Sequence, residues 1–349
     1  MRIPGPARRL VAILGAVLVT AALLVGCSST SSTPSAQALP LPVASYGHAV
    51  WAPDGAIYVD MATNAQQANL DARLYRIGTS ETRLEAVGPQ PEPGCTHSSV
   101  TPGFAQRDRL IQLLRTCSMD VGAPSISSES ILFNPASGTV SRLAPLGDRL
   151  GVRPPSWEPE NRRGWTSYND SNICAGIVEV TPSGFVRLPE PVTIGGRRWE
   201  LDQIFYEKTC GNNEGEAQMP AVSPDGRQLA FLASPAAVGS SDRNAQPWNL
   251  YLRALPNGPP KEIARGFKGP GGSMSFSPDG RLVLFNASGA EWVVDLATGH
   301  RRRLVAGNLA NVSFSPDGAR IVSVVPAKRS DPLGPTEVVI YPIGRLRDF

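Results

Sequence analysis

The chain has 349 residues, with 33 basic and 30 acidic side chains, a formal net charge of +3, five cysteines and three histidines. Three arginines and no acids lie within residues 1–26, so the remainder of the chain carries no net charge. This balance does not favour nucleic acid or anionic lipid as a partner, because both attract strongly basic proteins.

Residues 1–27 have the pattern of an export signal. Arginines at its start precede an apolar run over residues 10–25, which ends in the sequence LVGC at Cys27. The run is too short for a comfortable membrane span. The pattern resembles a bacterial lipoprotein signal, and this resemblance implies cleavage after residue 26 and lipidation of Cys27. The implied lipid is a thioether-linked diacylglycerol, usually with an amide-linked acyl chain, and more than one chain is what stable anchoring requires. An ordinary signal peptide with a chance cysteine is the alternative.

Three segments are expected from composition. Residues 1–26 form the signal peptide, and residues 27–45 form a Ser/Thr/Pro-rich tether. Residues 46–349 are interrupted throughout by glycine and proline, of which the chain has 34 and 33. Helical patterns of ten residues or more are hard to find there, so an all-β fold is favoured.

An internal repeat with the sequence Ser-Pro-Asp-Gly predicts the architecture. The clear copies have their prolines at Pro224, Pro278 and Pro316. Weaker copies upstream have theirs at Pro53, Pro102 and Pro159. Each copy lies between two short apolar stretches, and two further stretches follow it. Four antiparallel strands in every unit of ~40–50 residues are typical of a propeller blade, so the sequence predicts six blades.

These repeats resemble those of the TolB-type β-propeller, which is usually six-bladed. The resemblance covers most of residues 46–349 and is specific for fold, not for function. The amino-terminal α/β domain of TolB is absent from the sequence, as is a hydrolase domain of the dipeptidyl-peptidase kind. TolB's own partners are therefore not transferred to this chain.

The acidic residue of each repeat is expected to form a turn. Proline presets φ, aspartate bonds the local backbone, and glycine supplies a positive φ. The four residues concerned are Asp54, Asp225, Asp279 and Asp317. A catalytic role would require carboxylates that converge on one substrate, whereas equivalent turns lie in separate blades.

The four cysteines beyond Cys27 predict two disulfides, since an even number in an exported chain is typical of such bonds. Cys95 and Cys117 are equidistant from the centre of a predicted hairpin turn, and such residues face one another across two strands. Cys95 is therefore paired with Cys117, which leaves Cys174 with Cys210. A metal site is the rival, but the sequence has no CxxC spacing and no histidine cluster.

A polar ring around the channel mouth is a candidate binding site. His48 and His97 each lie five residues before the proline of their unit, and Ser273 and Asn311 occupy the equivalent positions in two other units. The alternative is that the innermost strands carry polar residues because the channel holds water. The longest insertions, residues 61–70, 118–130, 234–247 and 326–335, lie at the same end, which we expect to be the working face.

The sequence predicts a non-enzymatic scaffold that binds a protein outside the membrane. No catalytic residues, metal ligands or cofactor are expected, nucleic acid is not an expected partner, and the chain is expected to be monomeric. Its expected location is the outer leaflet of the bacterial cytoplasmic membrane, or the outer membrane if the cell has one. A receptor for a small ligand or glycan, and a metal-dependent lactonase-type propeller enzyme, are the alternatives.

Overall fold

The computed structural model describes most of the repeat region. The described residues are 37–42, 44–52, 54–62, 72–78, 83–88, 90–101, 110–118, 126–147, 154–160, 162–170, 174–186, 192–194, 197–199, 216–234, 247–256, 258–287, 289–306, 310–328, 331 and 334–343. All of them lie in one compact unit, Pro34–Phe349. Their regular structure is entirely β, and within these ranges no helix is long and apolar enough to cross a membrane.

The strands form six four-stranded antiparallel sheets, which are the blades of a propeller. Strands are given from the innermost outwards. Blade 1 contains β2 (Ser45–Trp51), β3 (Ile57–Ala62), β4 (Arg73–Ile77) and β5 (Leu84–Ala86). Blade 2 contains β6 (Cys95–Thr101), β7 (Ile111–Ser118), β8 (Ile126–Asn134) and β9 (Thr139–Gly147). Blade 3 contains β10 (Ser156–Trp157), β11 (Gly164–Asp170), β12 (Cys174–Thr181) and β13 (Gly184–Phe185).

The second half of the ring repeats this order. Blade 4 contains β16 (Glu216–Val222), β17 (Gln228–Ser234), β18 (Trp248–Ala254) and β19 (Pro260–Phe267). Blade 5 contains β20 (Pro270–Phe276), β21 (Leu282–Ala287), β22 (Ala290–Asp295) and β23 (Arg301–Ala306). Blade 6 contains β24 (Ala310–Phe314), β25 (Arg320–Pro326) and β26 (Thr336–Pro342). A two-stranded hairpin of β14 (Val192–Ile194) and β15 (Arg197–Trp199) lies between blades 3 and 4 in sequence.

The outermost strand of blade 6 comes from the other end of the chain. This strand is β1 (Gln37–Ala38), and it pairs antiparallel with β26 through Gln37 opposite Ile340 and Ala38 opposite Val339. Leu39 N–H continues the pairing by donating to Val338 O at 2.9 Å. The propeller is therefore closed by a segment that was expected to belong to the tether.

Apolar side chains fill the spaces between blades, because each blade is covered on both faces. All six residues of β21 are buried, so the strand is an unbroken apolar run apart from Asn286. The cluster between blades 4 and 5 includes Trp248, Phe267 and Phe285, and the rings of the two phenylalanines meet edge to face at 4.9 Å. Burial of side chains of this size stabilises the fold by about 1.5–3 kcal/mol each.

The ring has two distinct ends. At the turn end, the innermost strand of each blade turns into the second strand; this end carries the Pro-Asp-Gly turns. At the opposite end, which we call the loop end, the second strand leads into the third. Most of the longest insertions, such as residues 63–71 and 235–246, follow strands that end there and lie outside the described residues.

Candidate functional site

The repeat aspartates lie in turns of four different blades. Asp225 Oδ1 accepts hydrogen bonds from Ser223 Oγ at 2.6 Å and from Arg227 N at 3.1 Å. Asp279 and Asp317 accept the same two kinds of hydrogen bond. Asp54 accepts only the backbone bond, from Ala56 N, because residue 52 is alanine and has no hydroxyl. The serine hydroxyl lowers the pKa of Asp225 and of Asp317. Each carboxylate is thus used by its own turn, and the structure does not bring them together.

The candidate channel-mouth residues share a backbone feature near the loop end. The innermost strands β2, β16, β20 and β24 each contain a register shift, between Tyr46 and Ala49, Gln218 and Ala221, Gly271 and Met274, and Ala310 and Val312. The inserted residues include His48, Met219, Ser273 and Asn311. A β-bulge of this kind re-aims a side chain and leaves backbone groups without ladder partners.

His97 lies outside this set. It is opposite Arg115 in the ladder of β6 and β7, and the register shift of β6 begins one residue later, at Ser98. Its side chain is buried, and burial together with the nearby Arg115 lowers its pKa. The residues inserted in β6 are Ser99 and Val100, so His97 lies in the regular part of its ladder. The structure therefore places His48, Ser273 and Asn311 within register shifts, and His97 at a paired position of its strand.

His48 is held by a buried carboxylate. Asp60 Oδ1, on β3, accepts a hydrogen bond from His48 N at 2.7 Å and lies 3.1 Å from His48 Nδ1. The Asp60 side chain is only 5% exposed, and that of His48 is 26% exposed. Gly47 permits this approach, since a Cβ at that position would lie 2.2 Å from Asp60 Oδ2. The pair satisfies the free N–H of the bulge and fixes the imidazole at the surface.

Asp60 belongs to a set of polar residues at one level of the second strands. One residue of each second strand pairs with the last residue of the innermost strand. The polar position lies three residues further along the second strand. In blades 1, 2, 3 and 5 its occupants are Asp60, Arg115, Ser167 and Asn286. Ser167 Oγ accepts a hydrogen bond from Met219 N of the next blade at 2.8 Å, so Ser167 also provides a partner for a backbone N–H within a bulge. The set was not predicted from the sequence, where its signal is a polar residue inside an apolar strand.

Arg115 is the centre of an ionic group in blade 2. Its guanidinium donates to Glu129 Oε1 at 2.6 Å and also to Glu92. Arg142 lies 3.0 Å from the other oxygen of Glu129. These contacts raise the pKa of Arg115, with the Glu129 bond as the largest cause. Arg115 therefore keeps its positive charge next to His97.

Blade 5 contains a buried acid with spare hydrogen-bonding capacity. Asn286 Nδ2 donates to Glu291 Oε1 at 2.8 Å, whereas Glu291 Oε2 has no partner in the described part of the chain. Burial raises the pKa of Glu291 to about 8, so the carboxyl is mostly protonated at neutral pH. The hydroxyl of Ser273 is also buried without a partner among the described residues.

One of the two predicted disulfides lies among the described residues. The structure contains the Cys95–Cys117 bond, which joins directly opposed residues of β6 and β7 across a sequence separation of 22. It lies at the loop end of blade 2. Cys174 begins β12, and Cys210 is outside the described residues, as is Cys27, so their predicted roles stay predictions.

The described clefts lie at the turn end. One, of about 340 Å³, opens between blades 1 and 2 beside Asp54, Tyr58 and Arg76. The other, of about 840 Å³, opens between blades 3 and 4 beside Glu158, Arg163 and Asp225. Arg163 lies 3.3 Å from Glu158 in the second cleft, so these charges are partly neutralised. Among the described residues, no group of three or more His, Cys, Asp or Glu side chains has the arrangement of a metal site.

The fold and these contacts define the class of protein, a closed six-bladed β-propeller. No family model and no curated protein matches the sequence. Among solved structures, the chain is similar to the α-L-arabinofuranosidase Arb93A of Fusarium graminearum in complex with an iminosugar inhibitor, with a TM-score of 0.53, 10% identity and coverage of 88% of this chain and 95% of that one. At this identity the likeness shows the fold alone.

Two further likenesses have lower scores. A putative TolB from Agrobacterium tumefaciens has a TM-score of 0.47 and 16% identity, with coverage of 86% of this chain and 91% of that one. An oligogalacturonate lyase from Vibrio parahaemolyticus has a TM-score of 0.47 and 10% identity, with coverage of 84% and 76%. The neighbours therefore include enzymes as well as TolB proteins.

Proposed function

We propose that this chain is a membrane-anchored lipoprotein outside the cytoplasm, whose propeller binds a protein partner without catalysing a reaction. Cys27 is the lipidated residue in this proposal, and the anchor lies in the outer leaflet of the cytoplasmic membrane, or in the outer membrane if the cell has one.

The observation that carries the binding role is the recurrence of bulges at the loop end. They occur in β2, β6, β16, β20 and β24, and each interrupts the regular ladder of an innermost strand, as at His48. Long loops follow the same ends of the strands. Recognition residues are commonly carried on loops that a rigid scaffold positions, and this end of the ring has that arrangement.

A photo-crosslinking amino acid tests the working face. Placed at Gln67, in the insertion after β3, it is expected to give a discrete crosslinked product in intact cells. Placed at Arg227, an exposed residue of a turn at the other end, it is expected to give none. Equal crosslinking from both positions, or crosslinking from Arg227 alone, would contradict the proposed face.

Cell fractionation tests the anchor. Cys27→Ala is expected to move the protein from the carbonate-washed membrane pellet to the soluble fraction, because the lipid is its proposed attachment. Retention of the variant in the pellet would contradict lipidation at Cys27. Mass spectrometry of the amino-terminal peptide, with and without the substitution, gives the direct control.

A small polar ligand is the second candidate, and the unpartnered oxygens of Glu291 and Ser273 favour it. A metal-dependent enzyme is the related alternative, for which His48 and Asp60 supply an imidazole oriented by a carboxylate. A calcium titration followed by thermal unfolding separates the enzyme from the scaffold and from the small-ligand receptor. Stabilisation by several degrees at micromolar calcium would favour the enzyme, since ligands that bind only the folded state raise its melting temperature.

A further inference from the structure

Basic residues are concentrated on the outer strands of two neighbouring blades. Residues 260–268 and 301–306, which comprise β19, the residue after it and β23, contain six basic side chains: Lys261, Arg265, Lys268, Arg301, Arg302 and Arg303. Glu262 is their one acid. By contrast, β1 and β13 have no charged residue, β5 has one glutamate and β9 has one arginine. We call the surface formed by β19 and β23 the basic edge.

Contacts between blades 4 and 5 make the basic edge one surface. Arg301 of β23 donates a hydrogen bond to the carbonyl of Arg265 of β19. Its guanidinium also lies 5.1 Å from the ring centre of Phe267 and 5.4 Å from that of Trp292. Aromatic faces hold a cation in place while leaving its edge accessible. Arg301 remains exposed, as do Lys261 and Arg303.

The start of the propeller lies beside this surface. Arg302 of β23 donates to the carbonyl of Ile343, just after β26. Three residues earlier in β26, Ile340 pairs with Gln37 of β1. A strand rises about 3.3 Å per residue and its neighbour lies about 4.8 Å away, so Gln37 is on the order of 10–15 Å from the contact of Arg302. The chain therefore enters the ring next to the basic edge.

A lipid at Cys27 would hold this side of the ring near the membrane. Ten residues join Cys27 to Gln37 in sequence, and even a fully extended segment of that length spans at most about 35 Å. We propose, resting on the anchor in the proposed function, that the basic edge docks on anionic lipid headgroups of the same membrane. The charged groups that carry this interaction are those of β19 and β23. Docking by this edge keeps the opposite side of the ring away from the lipid.

This local charge was not apparent from composition. The balanced charge of residues 27–349 gave no reason to expect anionic lipid as a partner, but the fold places basic residues about 40 positions apart in sequence on one edge. The electrostatic potential of a charged group decays within a Debye length of about 10 Å. Distant acidic residues therefore do not cancel the attraction between such a cluster and a surface of anionic headgroups.

Vesicle binding by the unlipidated chain 28–349 tests the basic edge apart from the anchor. Every strand in the described part of the ring lies between Gln37 and Pro342, so this chain retains all six blades. We expect at least tenfold tighter binding to vesicles of phosphatidylcholine and phosphatidylglycerol, mixed 1:1, than to phosphatidylcholine alone. Lys261→Glu with Arg303→Glu is expected to remove at least tenfold of that affinity, and added salt is expected to weaken it.

A matched control keeps the net charge change the same. Arg83→Glu with Arg162→Glu reverses two exposed arginines of blades 1 and 3, and we expect less than a threefold effect. Equal losses in both double variants would show that net charge alone acts, and this would overturn the proposal. So would equal binding of the parent chain to both kinds of vesicle. Melting temperatures of all variants show whether the ring is intact.

The anchor is judged by a separate readout. The full chain with Lys261→Glu and Arg303→Glu is expected to stay in the membrane pellet through its lipid, whereas Cys27→Ala is expected to leave it. If Cys27→Ala stays in the pellet while the vesicle preference holds, the anchor fails and the basic edge stands. If Cys27→Ala is released but the vesicles show no preference, the anchor stands and the basic edge fails.

Discussion

Thr336 and Tyr46 join the two ends of the ring. Thr336 Oγ1 accepts a hydrogen bond from Tyr46 N at 2.7 Å and lies 2.9 Å from Tyr46 O, although the two residues are 290 positions apart. The backbone of Thr336 also donates to Ala44 O at 2.6 Å. With β1 on β26, these bonds close the ring between blades 6 and 1, and the side chain of Thr336 is the polar part of that closure.

Thr336→Val is expected to destabilise the propeller by about 1–3 kcal/mol, because it leaves Tyr46 N–H buried without a partner. The measurement is urea unfolding, compared with Thr336→Ser, which keeps the hydroxyl. The serine variant is expected to remain within about 1 kcal/mol of the parent chain. Equal stability of the valine and parent chains would mean that the apolar contacts of blade 6 alone close the ring.

Gly280→Val is expected to destabilise blade 5 by about 1–2 kcal/mol or more, because Gly280 has a φ of 72° and a β-branched residue resists that conformation. Space is not the cause, since a Cβ would lie 3.8 Å from Pro224 Cδ, an ordinary contact. Thermal unfolding measures the effect, with Gly280→Asn as the control that tolerates positive φ.

Asp279→Asn retains the acceptor oxygen, and we expect it to preserve partner binding. Loss of binding in a folded Asp279→Asn protein would show a functional carboxylate.

Removal of the Cys95–Cys117 bond is expected to cost roughly 3 kcal/mol, the value of the chain-entropy model for a loop of this size. The double substitution Cys95→Ala and Cys117→Ala avoids a stray thiol, and urea unfolding measures the loss. Peptide mapping without reductant tests both predicted pairs at once. Cys95 joined to Cys174 or Cys210 would contradict the register of β6 and β7.

Glu291→Gln is expected to change how stability depends on pH. The pKa of Glu291 rises from 4.5 to about 8 in the folded protein, because burial penalises the charge. The folded state therefore binds more protons than the unfolded state between these values, so this group makes stability fall as pH rises from about 4.5 to about 8. Glutamine cannot ionise, so the variant should gain a few kcal/mol at pH 8 and little at pH 4.5.

Melting temperatures across that pH range measure the effect. Glu160→Gln is a suitable control, since the side chain of Glu160 is 63% exposed and its neutralisation removes no buried charge. A parallel pH profile for the Glu291→Gln and parent chains would show that the Glu291 carboxyl is solvated in the folded state.

The sequence predicted the blades because their signals are local. The Ser-Pro-Asp-Gly copies fix a strand, a turn and a second strand within about 20 residues, and the structure has six blades of four strands as predicted. Ring closure was not predictable in the same way, because β1 has only two residues and its partner is near the other end of the chain. The paired position of His97 depends on the strand register of blade 2, which proline spacing does not report.

The candidate sites show the same limit. His48 was found because it precedes a repeat proline, but its partner Asp60 is an ordinary acid in sequence and becomes notable only when buried. Lys261 and Arg303 belong to separate blades, so their common surface depends on the stacking of β19 against β23. Physical properties that need burial or adjacency of distant residues are those that the sequence did not predict.

The pairing of β1 with β26 also constrains the order of events when the protein is made. Synthesis proceeds from the amino terminus, so Gln37 leaves the ribosome long before Ile340, with which it pairs. Contacts between residues so far apart form slowly, because closing the long loop between them costs entropy before the contacts stabilise the chain. Blades 1 to 5 have all their strands in contiguous stretches and need not wait. The nascent chain is therefore expected to carry its first strand unpaired until β26 has been synthesised, and a product truncated before Thr336 has no partner for it.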